Sequence, residues 1–109
     1  MPWLVSDDRV LASLEVAGSS GARRRGLIGR DGIQGALLLR PARSIHTLRM
    51  RFPIDVAYCD ADLIVIRTAT INPNRVGFPV WRARAVIEAE AGSFARWGLR
   101  PGDALEVRE

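Results

Sequence analysis

Ile54-Asp-Val-Ala-Tyr-Cys-Asp-Ala-Asp-Leu-Ile-Val-Ile-Arg-Thr-Ala-Thr-Ile71 is the stretch that decides the fold class. Its first six residues alternate. Ile54, Val56 and Tyr58 share one face of an extended chain, and Asp55, Ala57 and Cys59 share the other. Leu63 to Ile71 is mostly β-branched, a composition that fits a pleated surface. Between them lies Asp60-Ala61-Asp62, whose carboxylates can bond their own nearby backbone and hold a tight turn. Strands joined this closely pair antiparallel.

The neighbouring segments repeat the pattern. Arg9 to Val16 alternates, with Val10, Ala12, Leu14 and Val16 on one side, as in a half-buried strand. Trp81 to Ala91 alternates as well. Arg82, Arg84, Val86, Glu88 and Glu90 form one face, against an alanine-rich face of Ala83, Ala85, Ile87, Ala89 and Ala91. Ala36 to Leu39 is a short apolar run that suits a strand buried on both faces. Ser44 to Leu48 reads as a short extended piece, and Leu105 and Val107 as a last edge strand. Two short helices interrupt this order. Ser19 or Ser20 can cap one over Ala22 to Ile28, with Gly26 marking a close backbone approach or an early end and Gly29 as a stop. Ser93 can cap the other, which carries Phe94 and Trp97 and stops at Gly98, ahead of a Pro101-Gly102 turn. Trp3 reads as a surface residue near a frayed terminus. The expectation is one mainly β domain over residues 1–109, a small antiparallel barrel or sandwich of six or seven strands with two short helices, the alternative being α+β.

Composition bounds the chemistry. All sixteen basic residues are arginine, and the net charge is +4. Residues 1–52 carry +5 and residues 53–109 carry −1. The groups Arg23-Arg24-Arg25…Arg30 and Arg40…Arg43…Arg49…Arg51 make the first half basic and able to attract an anion or an acidic partner. Nucleic acid is disfavoured, because the aromatic interleaving of single-strand binders is missing. One histidine and one cysteine cannot make a structural zinc site, and Asp60-Ala61-Asp62 lacks the other ligands of a calcium loop. No phosphate-loop lysine or nucleophile elbow is present. No cofactor or metal is expected. The N-terminal Met1-Pro2-Trp3-Leu4-Val5-Ser6 is no signal peptide, and no apolar run approaches the roughly 18 residues of a membrane span. The expectation is a soluble, cytoplasmic monomer or weak dimer.

The densest chemistry lies in residues 44–55, Ser-Ile-His-Thr-Leu-Arg-Met-Arg-Phe-Pro-Ile-Asp. His46 and Asp55 are the candidate catalytic pair. A carboxylate beside the imidazole would orient it and raise its basicity, as a hydrolase-like general base requires. The alternative is that Asp55 bonds backbone N–H groups and His46 is a half-buried polar fixture. An arginine of the first helix turned inward would add an anion site suited to carboxylate or phosphate. Glu88 could pair an arginine across the sheet or line a pocket. Cys59, followed by Asp60, reads as a buried, unreactive thiol.

Four blocks together resemble the family known as domain of unknown function 192. They are Arg25-Gly-Leu-Ile-Gly-Arg30, the 44–55 block, Ala85-Val-Ile-Glu-Ala-Glu-Ala-Gly92 and Gly98-Leu-Arg-Pro-Gly-Asp103, and the likeness spans about residues 9–108. It implies a compact, mainly β prokaryotic domain with no established activity. Positions matching the family pattern include Arg25, Gly26, His46, Thr47, Met50, Pro53, Asp55, Glu88 and Gly92. The sequence departs in three places: Ala42 where cysteine is frequent, Leu48-Arg49 where Phe-Gly is usual, and Ala89-Glu90 where Leu-Pro is usual. The expected ligand site is a polar pocket of Arg25, His46, Thr47, Met50, Asp55 and Glu88. It would serve a binding or accessory module for a small anionic ligand or a protein partner's peptide.

Overall fold

The computed structural model describes residues 2–77 and 79–109. Among them are β1 (Trp3–Ser6), β2 (Arg9–Ala17), α1 (Ser20–Arg25), β3 (Ala36–Leu39), β4 (Ile54–Cys59), β5 (Val65–Ile71), β6 (Ala85–Glu90), α2 (Ser93–Trp97) and β7 (Glu106–Arg108). The strands form one sheet in the order β5-β4-β6-β3-β2-β1-β7. The protein is mainly β with two short helices. No continuous ladder joins the outer strands, yet the two ends of the sheet meet. Leu105 N–H donates to the Leu63 carbonyl at 2.9 Å and Val65 N–H to the Asp103 carbonyl at 2.9 Å, around an isolated Ile64–Ala104 bridge. The sheet curls until its edges touch, short of a closed barrel.

One pairing departs from the antiparallel expectation. β2 and β3 run parallel, from Leu14 opposite Ala36 to Ala17 opposite Leu39. Residues 18–35 carry α1 and a loop between them, long enough to return the chain to its starting end, which a hairpin cannot do. Ser44 to Leu48 contributes only an isolated His46–Val76 bridge rather than a strand. Residues near Trp81 turn instead of extending, so β6 begins at Ala85. The N-terminus is not frayed from residue 3 onward. β1 pairs with both β2 and β7, and Leu4 and Val5 are fully buried.

The alternation read at 54–59 has a physical basis on both faces. Ala57 and Cys59 join Leu14, Leu38, Ile87 and Phe94 in the inner core of the curled sheet. Ile54, Val56 and Tyr58 join Leu27, Leu39, Met50 and Val86 in a second core. That outer layer includes the loop residues Ile45, Met50, Phe52 and Ala83. β3 and β4 are therefore buried along their whole length. Cys59 is among these buried residues, and burial pushes its thiol pKa up to about 12. It is not a thiolate at neutral pH.

The helix ends sit where the backbone demands. Ser19 caps α1, its side chain accepting from Ala22 N–H, and Gly26 ends the helix at φ 50°. That is four residues after Ala22 and earlier than a stop at Gly29. Ser93 lies inside α2 and does not cap it; Gly92 occupies the cap with no side-chain bond of its own. Arg49 stands in the left-handed region at φ 64°, a conformation that favours glycine. Its N–H donates to Asn74 Oδ1 at 3.0 Å, which holds the strained turn. Arg49→Gly is expected to raise stability by about 1 kcal/mol, since a side chain in this region costs roughly 1–2 kcal/mol and glycine's extra freedom when unfolded offsets part of that gain. Chemical denaturation of the two proteins measures it; a lowered midpoint would show that the arginine side chain contributes contacts of its own.

Candidate functional site

Glu88 is the unusual residue of this fold. It lies on β6 between Leu37 of β3 and Val56 of β4, directly opposite both. Cross-strand partners share a face, so the carboxyl group stands among aliphatic side chains. It is 3% exposed, and no protein group hydrogen-bonds its Oε1. Burial raises its pKa to about 7, because the low-dielectric surroundings disfavour the charged form. The alternation placed Glu88 on a polar face; the outer layer of loops makes that face interior instead. Tyr58, also on β4, has its phenol pKa raised, mainly by burial, with Arg67 opposing and Glu88 adding.

A cavity of about 310 Å³ opens over Glu88. Arg23, Arg24, Arg25 and Gly26 wall one side, Leu39 and Pro41 to His46 another, and Met50 lies against it. The end of α1 shapes this wall. Gly26 takes a backbone conformation that side chains resist, and a Cβ there would lie 3.7 Å from Glu88 Oε1. Glycine thus keeps the space above the carboxyl group open. On the opposite wall backbone bonds hold the 43–47 segment: Val80 N–H donates to the Arg43 carbonyl at 2.9 Å, Gly77 N–H to Ile45 at 3.1 Å and Thr47 N–H to Arg75 at 2.8 Å. This segment brings His46 to the cavity wall, and its Nδ1 is buried without a hydrogen-bond partner. Buried polar atoms are nearly always paired, and each exception calls for an explanation. Here the two residues that carry such atoms line one cavity.

The expected site residues divide. Arg25, His46, Met50 and Glu88 come together around the cavity. Thr47 sits beside it but faces loop backbone. It is fully buried, donates through Oγ1 to the Asn72 carbonyl at 2.6 Å and accepts from Arg75 N–H at 2.9 Å. Asp55 lies on the other face of the sheet. One carboxylate oxygen accepts from Thr70 Oγ1 at 2.7 Å. The other accepts from Gly92 N–H and Phe94 N–H, each at 3.0 Å. Asp55 thereby supplies from β4 the cap that α2 lacks. The expected His46–Asp55 pair does not form, because the strand alternation sends Asp55 to the inner face while the outer loops hold His46. Arg43 and Ser44 line the cavity wall as well. Ser44 opens the 44–55 block, and Arg43, read only as part of a basic group, immediately precedes it.

Arginines elsewhere are largely engaged. Arg30 pairs with Glu15 at 2.7 Å, Arg51 with Asp31 at 2.8 Å and Arg108 with Asp8 at 3.2 Å. Arg23 donates to the Gly18 carbonyl at 2.6 Å. Arg24, Arg25 and Arg43 are exposed at the mouth of the cavity. Among the described residues, no cluster of three His, Cys, Asp or Glu side chains could hold a metal ion, and no helix is long and apolar enough to cross a membrane.

A compact mainly β domain with these motifs defines a class of protein before it defines an activity. The chain belongs to the family described as Uncharacterized ACR (DUF192), whose profile matches residues 4–107. Two solved structures share the fold. A protein of unknown function from Novosphingobium aromaticivorans is 22% identical, with a TM-score of 0.82 over 96% of this chain and 82% of that one. A protein from Sinorhizobium meliloti described as a candidate transcription regulator is 20% identical, with a TM-score of 0.83 over 97% of this chain and 91% of that one. No curated protein matches the sequence.

Proposed function

We propose that this domain is a non-catalytic binding module whose ligand, a small molecule or peptide end bearing an anionic group, enters the cavity between α1 and the 41–46 segment. The observation that carries this reading is that two residues lining one cavity, His46 and Glu88, each hold a buried, unpartnered polar atom, Nδ1 and Oε1. Leaving such groups unsatisfied costs about 1–3 kcal/mol each, so a ligand that pairs with them recovers that loss. The exposed arginines at the mouth suit a carboxylate or phosphate, which guanidinium groups bind through two parallel hydrogen bonds. A volume of about 310 Å³ matches a small molecule.

Hydrolysis is disfavoured because the general-base pair it needs is split between two faces of the sheet. Nucleic acid is disfavoured because the aromatic interleaving of single-strand binders is missing. Binding that weakened steeply with salt would argue for it. The module is tested by a thermal-shift screen of small carboxylates, phosphates and short peptides. A ligand that binds only the folded state raises the melting temperature. The expected result is a hit whose stabilisation falls in His46→Ala. A hit undiminished in that variant would place the ligand elsewhere.

A further inference from the structure

The cavity has a sign gradient. Its mouth carries the exposed guanidinium groups of Arg24, Arg25 and Arg43, and its floor carries the buried carboxyl group of Glu88. An anion without a donor is attracted at the mouth and then meets an acceptor at the floor. A simple cation is matched at the floor but repelled at the mouth. A molecule carrying both charges satisfies both ends. Between them the wall is aliphatic, with Leu27, Leu39, Ile45 and Met50 lining the same space.

We infer that the ligand is a zwitterion of the α-amino-acid class with an aliphatic side chain. Its ammonium group docks on Glu88 and its carboxylate on the arginines at the mouth. An ammonium has three donors and no acceptor. One serves the Glu88 carboxyl group, and a second serves His46 Nδ1 when the ring proton is on Nε2 and the ring turns toward the cavity, since both unpartnered atoms are closed off from solvent in this structure. The apolar side chain lies against Leu39, Ile45 and Met50. The cavity, at about 310 Å³, has room for a free amino acid. This inference rests on the reading of the cavity as a binding site for a ligand with an anionic group, and it adds the second charge.

Three matched probes separate the two claims: L-leucine, N-acetyl-L-leucine, which keeps the carboxylate and loses the ammonium, and 3-methylbutylamine, which keeps the ammonium and loses the carboxylate. Calorimetric titration at neutral pH is expected to show L-leucine binding at least roughly 10-fold more tightly than either of the others, as the loss of one charged hydrogen bond implies. In Glu88→Gln the preference for L-leucine over N-acetyl-L-leucine is expected to vanish. That variant keeps the side-chain shape and removes a buried charge, so its folding is not in question; its melting curve verifies this. N-acetyl-L-leucine binding as tightly as L-leucine would overturn the zwitterion while leaving the anion site intact. Tighter binding of the amine would overturn the assignment of the carboxylate to the arginines. Absence of saturable binding by all three probes, with a hit among the phosphates or peptides of the wider screen, would overturn the amino-acid class alone. Absence of any hit in that screen as well would overturn both readings.

Discussion

Asp55→Ala is expected to destabilise the fold by about 3 kcal/mol or more, since each buried donor left without an acceptor costs roughly 1–3 kcal/mol. Two backbone donors, Gly92 N–H and Phe94 N–H, and the Thr70 hydroxyl lose their acceptor together. No neighbouring side chain of α2 can replace it, because its own N-cap is glycine. The loss is large beside the 5–15 kcal/mol typical of a whole domain. Asp55→Asn keeps one acceptor oxygen and is expected to cost less. Urea unfolding at neutral pH measures both. A wild-type midpoint in Asp55→Ala would contradict the structural role. So would a normally folded Asp55→Asn that no longer bound a ligand of the outer cavity, since the two sites lie on opposite faces of the sheet.

Glu88→Gln is expected to act in the opposite direction and to depend on pH. The folded-state pKa of Glu88, raised by burial to about 7, lies above the ordinary carboxyl value that applies when the chain is unfolded. Between these values the folded protein holds a proton that the unfolded chain has released. Stability therefore falls as pH rises through this window and levels off above pH 7. The full difference amounts to about 3 kcal/mol by the conversion of 1.36 kcal/mol per pKa unit. Glutamine carries no charge to desolvate. The variant should be more stable than the wild type at pH 8, with the gap narrowing toward pH 5. A gap of the same size at both ends would mean that the carboxylate is stabilised when ionised, and that the cavity floor is less apolar than its lining implies.

Much of the fold was readable because strand alternation is local. Ile54, Val56 and Tyr58 do share a face, and so do Ala57 and Cys59. The misreadings arise where distant segments decide the outcome. Glu88 follows Val86 on a face that looked solvated, and nothing within β6 shows that the residue 41–53 loop and α1 cover it. Its burial is a tertiary property. Asp55 stood nine residues after His46 and invited a pairing, but its partners are Thr70, 15 residues on, and two backbone donors 37 and 39 residues further on. Ser93 looked like the cap of α2 and hid the need for one; only in the structure does Gly92 open the helix without a side-chain cap and take its carboxylate from β4. The parallel β2–β3 pair had a cue, since the connection at residues 18–35 is too long for a hairpin and holds a helix. Arg25, Met50, His46 and Glu88 converge through the resemblance of their sequence blocks rather than through any periodicity.

The proposed ligand chemistry of this domain lies on the outer face of the sheet, at Arg25, His46 and Glu88, whereas Asp55 serves the fold. Amide chemical-shift mapping of the isotopically labelled protein, titrated with the strongest stabiliser from the screen, tests this division most directly. Saturable shifts are expected at Arg25, Gly26, His46 and Glu88, with Gly92 and Phe94 unmoved. Shifts centred on Gly92, Phe94 and Thr70, or spread over the surface arginines without saturation, would contradict it.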